Sequence, residues 1–211
     1  MTNINPFVSY LIKQGVLKTP RIIEAFLKID RADFVPLELK RDAYINEPLL
    51  IGEGQTISQP YTVAFMIELL QPKSGDKIFE IGFGSGWQTA LLAEVIGESG
   101  EIFAVERIKK LFNFGTKNIS KYNFIKNGIV KTIGGDATKG LKRHAPFDKI
   151  IAAAAGAKVP ETWLEELKIG GRLVMPKKES IWLYVKKSKT EFEKREYPGF
   201  VFVPLISNKN R

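Results

Sequence analysis

There is no cysteine in this sequence and only one histidine among 211 residues. The first absence excludes a disulfide framework and a thiolate zinc site; the second excludes a histidine-rich metal cluster. No apolar run approaches the roughly 20 residues that span a bilayer. Residues 1–14 lack the charged, apolar and small-residue segments of a secretory leader. A cytoplasmic protein without metal is therefore expected. Internal repeats and low-complexity segments are also missing. What is there is an ordinary globular composition, 44% hydrophobic and 26% charged, long enough to bury a sizeable core. The formal charge of +9 favours acidic partners in general. Yet Lys and Arg are interleaved with acids. Even the densest basic segment, Lys177 to Arg195, carries Glu179, Glu191 and Glu193. It reads as a solvated surface; the sharper reading, a nucleic-acid face, would want aromatics interleaved with the basic residues.

Residues 1–47 read as helical. Ile22, Ile23, Ala25, Phe26 and Ile29 fall on a helical period behind Pro20, which suits a first turn. Leu37 to Tyr44 reads as a further short helix. Residues 53–60 read as a polar loop, and Tyr61 to Leu70 as a helix. From Lys77 the pattern alternates. Strands are expected at Lys77–Ile81, Glu101–Val105, Ile129–Ile133 and Phe147–Ala154. Helices are expected at Gln88–Ile96, Lys109–Lys121 and Pro160–Leu167, the last stopped by Gly170 and Gly171 before a strand begins at Arg172. Alternation of this kind predicts right-handed crossovers and a parallel sheet. Ser180–Lys187 and Phe200–Ile206 read as two more strands forming an antiparallel edge. The expected fold is α/β: one Rossmann-like domain with a doubly wound, mostly parallel sheet. Residues 1–60 form an N-terminal cap and loop, 61–176 the core and 177–211 the edge.

The most informative stretch runs from Asp76 to Thr89. An apolar strand leads into Glu80, then Gly82, Gly84 and Gly86, then a helical pattern. Ligands of doubly wound sheets bind beyond the carboxyl ends of the strands, at the switch point. Glycines admit close backbone approach there, and the following helix offers free N–H groups. The dinucleotide fingerprint needs its third glycine where this chain has Trp87, which opposes a pyrophosphate packed under the helix. A carboxylate at Glu80 can face a cation or an amine. This suits S-adenosylmethionine, whose methionine end carries an ammonium and a sulfonium. Glu106 ends the second strand, where a carboxylate can accept both ribose hydroxyls. Asp136, after Gly135 beyond the third strand, stands where it can reach an adenine amine.

These features sit among more particular ones: Arg31 to Pro36, Ala43-Tyr44, Ile51 to Tyr61 (Ile-Gly-Glu-Gly-Gln-Thr-Ile-Ser-Gln-Pro-Tyr), Pro146 to Asp148, Val159-Pro160, Gly170 to Pro176 and Phe202 to Ile206. With them, most of the chain resembles the protein-L-isoaspartate O-methyltransferases. The stretch from Gln55 to Ser58 is the specific part, because generic S-adenosylmethionine enzymes share only the glycine loop. By position, the resemblance implies an active-site serine at Ser58. It implies a covering loop, Gln55, Thr56 and Ile57, that contacts the substrate backbone. The implied cofactor shell is Glu80, Gly82, Phe83, Gly84, Ser85, Gly86, Glu106, Arg107, Asp136 and Ala137. The implied reaction moves a methyl group from S-adenosylmethionine to the α-carboxyl of an L-isoaspartyl residue in damaged proteins and peptides, leaving S-adenosyl-L-homocysteine. The ester collapses to a succinimide and so initiates repair. The resemblance also implies a C-terminal strand order unlike that of common methyltransferases. Phe83, the alanine-rich 152–157 and the pair Lys177-Lys178 depart from the family pattern.

The implied chemistry suits the residues. A substrate carboxylate, with a reference pKa of about 4, is already an anion at neutral pH, so no strong base is needed. Aligning it with an activated methyl group is worth roughly 7–11 kcal/mol, and shedding its water helps further. Ser58 has no histidine near it in sequence and no triad pattern, so it reads as an orienting donor rather than a nucleophile. It is also a candidate N-cap of the Tyr61 helix. His144 reads as an exposed loop residue, Trp163, Trp182 and Phe26 as packing residues, and Trp87 as either a cofactor cover or core. The alternative reading is a nucleic-acid (rRNA or tRNA) methyltransferase. It lacks the Asn/Asp-Pro-Pro-aromatic loop after the fourth strand, where this chain has Ala153 to Ala157, and a cysteine nucleophile. A nicotinamide oxidoreductase is opposed by Trp87, and a non-catalytic module by the filled cofactor shell. Neither nucleic acid nor membrane is expected as a partner, and the protein is expected to be a monomer.

Overall fold

The computed structural model describes residues 5–206. Residues 1–4 and 207–211, the outermost parts of the expected domain, lie outside them. Helices α1 (Pro6–Lys13) and α2 (Pro20–Lys28) open the chain, each with proline in its first turn. Short 3-10 turns follow at Arg31–Phe34 and Leu37–Asp42, so the second expected helix is a tighter, shorter turn. The expected polar loop is instead mostly a hairpin, β1 (Leu49–Gly52) and β2 (Gln55–Ile57), turning at Glu53 and Gly54. Strands of four and three residues carry too little alternation to be legible.

Helix α3 (Pro60–Leu70) leads into the sheet. Its parallel part is β3 (Lys77–Ile81), β4 (Glu101–Glu106), β5 (Val130–Gly134), β6 (Phe147–Ala152) and β7 (Leu167–Lys177), with helices α4 (Trp87–Ile96), α5 (Lys109–Ser120) and α6 (Glu161–Glu166) between. Two antiparallel strands, β8 (Ser180–Lys186) and β9 (Phe192–Pro198), complete the order β5-β4-β3-β6-β7-β8-β9. Two expectations are corrected. Helix α6 ends at Glu166, and Gly170 and Gly171 lie inside β7. A Cβ at Gly171 would stand 2.9 Å from the Asp148 carbonyl, so this glycine permits strand packing rather than stopping a helix. The last strand is Phe192–Pro198, and 200–206 is irregular apart from a bridge between Ala155 and Pro204. The charged run Phe-Glu-Lys-Arg-Glu-Tyr-Pro suits an edge strand, which needs polar groups facing solvent.

Alternation along the strands divides the core between the two sheet faces. Ile78, Ala104, Ile151 and Val174 pack toward α2, α3 and α4 on one face. Phe79, Ile81, Phe103, Val105, Phe147 and Trp163 form the core of the other. Helix α4 is buried along nearly its whole length, between the sheet and α2. Strand β3 has β4 on one side and β6 on the other, so the order reverses at β3 and a crevice opens beyond its tip.

Candidate active site

The floor of the crevice is the glycine loop after β3. The Gly82 amide donates to the Val105 carbonyl at 2.8 Å, which continues the ladder past the strand end. Gly82, Gly84 and Gly86 have φ of 77°, 50° and 87°, a left-handed course that glycine adopts without strain. Gly82, Phe83, Gly84 and Ser85 line the cavity. Gly86 does not: a Cβ there would lie 2.6 Å from Ile119, so this glycine lets α4 start tightly against α5. Phe83 is 4% exposed. Its ring packs 5.8 Å from Phe112 and against Gly115, where a Cβ would sit 2.7 Å from it. The space that this departure needs is conceded by the glycine in α5.

The three acids are placed differently from one another. Glu106 faces the cavity; its Oε2 accepts from the Gly84 amide at 3.1 Å and its Oε1 from the Ile108 amide at 2.8 Å. It pairs with the loop backbone as well as facing a ligand, and each carboxylate oxygen keeps a second lone pair. Asp136 also lines the cavity, its Oδ1 capping the 3-10 turn Ala137–Lys139 by accepting from the Thr138 amide at 3.0 Å. Ala137 and Arg107 line it too. Glu80 does not. It shares the face of Ile78, so its fully buried carboxylate points under α4, where Oε1 accepts from Gln88 Nε2 at 3.0 Å. Its Oε2 has no partner among the described residues. Burial pushes its pKa up to about 7, against the opposing bond from Gln88. Gln88, not Glu80, lines the cavity from this side. It was legible as one of two adjacent polar residues in the first turn of a mostly apolar helix, opposite a strand acid on the inward face.

The roof comes from elsewhere in the chain. Ile51, Gln55, Thr56, Ile57 and Ser58 line it from the hairpin side, and Val203 to Ile206 close it opposite. The latter segment crosses the alanine-rich stretch, with the Ala155 amide donating to the Val203 carbonyl and the Leu205 amide to the Ala155 carbonyl, each at 2.8 Å. Small side chains at Ala153 and Ala154, which line the same cavity, leave room for it. Ser58 is not the cap of α3; that position is Gln59. A second, open groove lies beside the crevice, bordered by Pro48, Gln59, Thr62 and 199–203. Thr56, Ser58, Ala153 and Val203 border both spaces.

Trp87 is 1% exposed yet lines the crevice, with Phe26 edge-on at 5.6 Å, so it is core and wall together. Trp163 is core, its Nε1 donating to the Ala137 carbonyl at 2.8 Å. His144 is half-buried rather than exposed, 4.3 Å from the Phe103 ring. The basic edge is partly neutralised by Glu193, which pairs with Lys187 and Arg195. Its aromatics Trp182 and Tyr184 stack on each other and pack toward the core rather than standing open for bases. Among the described residues no helix is long and apolar enough to cross a membrane, and no group of three or more His, Cys, Asp or Glu is placed to hold a metal ion.

The family model described as protein-L-isoaspartate(D-aspartate) O-methyltransferase matches residues 2–210. This chain belongs to that family. Curated protein-L-isoaspartate O-methyltransferases resemble it along nearly their whole length. The one from Methanopyrus kandleri is 41% identical over 206 residues, covering 96% of this chain and 90% of the relative. That from Flavobacterium psychrophilum is 42% identical over 209 residues, covering 98% and 95%. A solved protein-L-isoaspartate O-methyltransferase superposes with a TM-score of 0.84 at 28% identity, covering 96% of this chain and 65% of its own. The crystal structure of the Plasmodium falciparum protein-L-isoaspartate O-methyltransferase, in complex with S-adenosyl-L-homocysteine, superposes at 0.86 with 24% identity, covering 99% and 100%, and shows the same fold.

Proposed function

We propose that this protein transfers the methyl group of S-adenosylmethionine to the α-carboxylate of L-isoaspartyl residues in damaged proteins and peptides. The resulting ester collapses to a succinimide and starts repair. Family membership supports the reaction. The observation that carries the site is that Ser58 stands in the wall shared by the crevice at the β3 tip and the groove beside it. One space suits a cofactor and the other a polypeptide, and the group between them can touch both.

The residues present fit the cofactor. A Cβ built on Gly82 or Gly135 meets nothing within 4 Å, so both face open space where a ligand approaches the backbone. Glu106 offers lone pairs to ribose hydroxyls, and Asp136 and Ala137 stand where an adenine would be held. Gln88 and the glycine loop would take the methionine end in place of Glu80. When bound, S-adenosylmethionine supplies a methyl group already activated on a sulfonium. The protein's own work is then alignment and exclusion of water. Ser58 orients the incoming carboxylate as a donor, Gln55 to Ile57 and Val203 to Ile206 exclude water, and no side chain needs to remove a proton.

In this reading the chain acts as one domain and as a monomer in the cytoplasm. Residues 1–60 supply the cap and substrate loop, 61–176 the cofactor core and 177–211 the edge. The test is transfer of labelled methyl from S-adenosylmethionine to an isoaspartyl peptide, beside its aspartyl twin and a structured RNA. Base-labile label on the isoaspartyl peptide alone is expected. Label on the RNA, or equal label on both peptides, would select the alternative or remove the proposal.

A further inference from the structure

Arg31 is 1% exposed, and no carboxylate pairs with it among the described residues. Burial alone pushes its guanidinium down to about 10. A buried, unpaired guanidinium is unfavourable unless its donors are used. Here Nη1 donates to the carbonyls of Ala43 at 2.7 Å and Ile45 at 3.3 Å, and Nη2 to those of Glu47 at 3.0 Å and Ser58 at 3.1 Å, while Nε has no partner among the described residues. All four carbonyls lie in irregular backbone, where no helix or strand holds them. The guanidinium carbon also lies 5.2 Å from the centroid of the Trp87 ring. One side chain therefore joins the turn at 43–47, the carbonyl of Ser58 and the first residue of α4. Asn46 adds a second tie, accepting from Gln59 Nε2 at 2.7 Å and from the Tyr61 amide at 3.0 Å.

We propose that Arg31 is a positioning residue of the methyl transfer, its planar fork setting the backbone at Ser58 against the Trp87 end of the glycine loop. This rests on the reading of Ser58 as the group that orients the acceptor carboxylate. A misplacement of about 1 Å at such a group costs up to roughly 100-fold in rate. Lysine cannot reproduce the fork, because it is a point charge with three rotatable donors.

The test compares Arg31→Met, which keeps the stem and removes every donor, with Arg31→Lys, Ser58→Ala and the double variant Arg31→Met/Ser58→Ala. Rates are expressed per mole of protein that binds S-adenosyl-L-homocysteine by calorimetry, which removes any unfolded fraction. For Arg31→Met, kcat with an isoaspartyl peptide is expected to fall about 30- to 100-fold, with peptide KM and cofactor Kd each within about 3-fold. Arg31→Lys should recover only part of the loss, to about 3- to 10-fold below the parent. The double variant should be no slower than its slower single, because the two act as a unit. Should Arg31→Met fail to fold, Arg31→Lys carries the same split and, combined with Ser58→Ala, the same cycle. Parental kcat per binding-competent site, or losses that multiply in the double variant, would overturn the inference while leaving Ser58 in its role. No loss in Ser58→Ala would remove the serine reading and this inference with it.

Discussion

Beneath the crevice, the tips of β3, β4 and β5 are held by a parallel ladder that continues into the glycine loop through the Gly82 amide. Above it, the hairpin and Ser58 hang on a few long-range bonds, Arg31 to four carbonyls, Asn46 to the start of α3 and Lys110 to Glu53, and 203–206 on two backbone bonds with Ala155. The floor is set by many cooperative backbone contacts, and the roof by a few individual bonds, most of them made by side chains. Changes to the floor should therefore register in cofactor affinity or stability, and changes to the roof in turnover.

The largest expected effect is on the floor. Glu106→Ala removes a cavity carboxylate and frees the amides of Gly84 and Ile108, so cofactor affinity should fall about 100-fold by calorimetry. Unchanged binding would place the ribose elsewhere. Next comes a floor residue outside the cavity. Burial raises Glu80 from its ordinary 4.5 to about 7, so between these pH values the folded chain keeps a proton that the unfolded chain has released. Stability should fall as pH rises through that window. Glu80→Gln has no such slope, and at pH 8 it should be the more stable by about 2–3 kcal/mol in denaturant titrations, with the two matched near pH 4.5. A parallel pH dependence of the two proteins would mean that Glu80 is solvated. On the roof, Ser58→Ala should lower kcat about 30-fold and leave cofactor Kd within about 2-fold. The smallest effect belongs to the tether at the hairpin tip. Lys110 and Glu53 meet at 2.7 Å, but their side chains are 81% and 36% exposed. Glu53→Gln should leave the denaturant midpoint unchanged and speed cofactor release about 2-fold at low salt, the difference vanishing at high salt.

The floor was the more legible half for the same reason that it is the more rigid. Strand tips, glycines and the acids Glu106 and Asp136 belong to a repeating β-α grammar that local pattern exposes. Glu80 was misplaced because its position at a strand end was weighed without the alternation that puts it with Ile78 on the α4 face. The roof is built from contacts between residues far apart in the chain, such as Ser58 with Arg31, which local periodicity does not encode. The hairpin strands are too short to show alternation. The apolar 200–206 mimics a strand, yet it is drawn across the small residues 153–156 while the charged Phe192–Pro198 takes the sheet edge. What located Ser58 was the similarity of its surrounding motif, not a spacing rule.

Titration of the protein with S-adenosyl-L-homocysteine by calorimetry, beside Ser58→Ala and Glu106→Ala, tests the division most directly. One equivalent should bind to the parent and to the Ser58 variant with matching affinity, and the Glu106 variant should bind far more weakly. No heat from the parent, or equal losses in the two variants, would contradict the account.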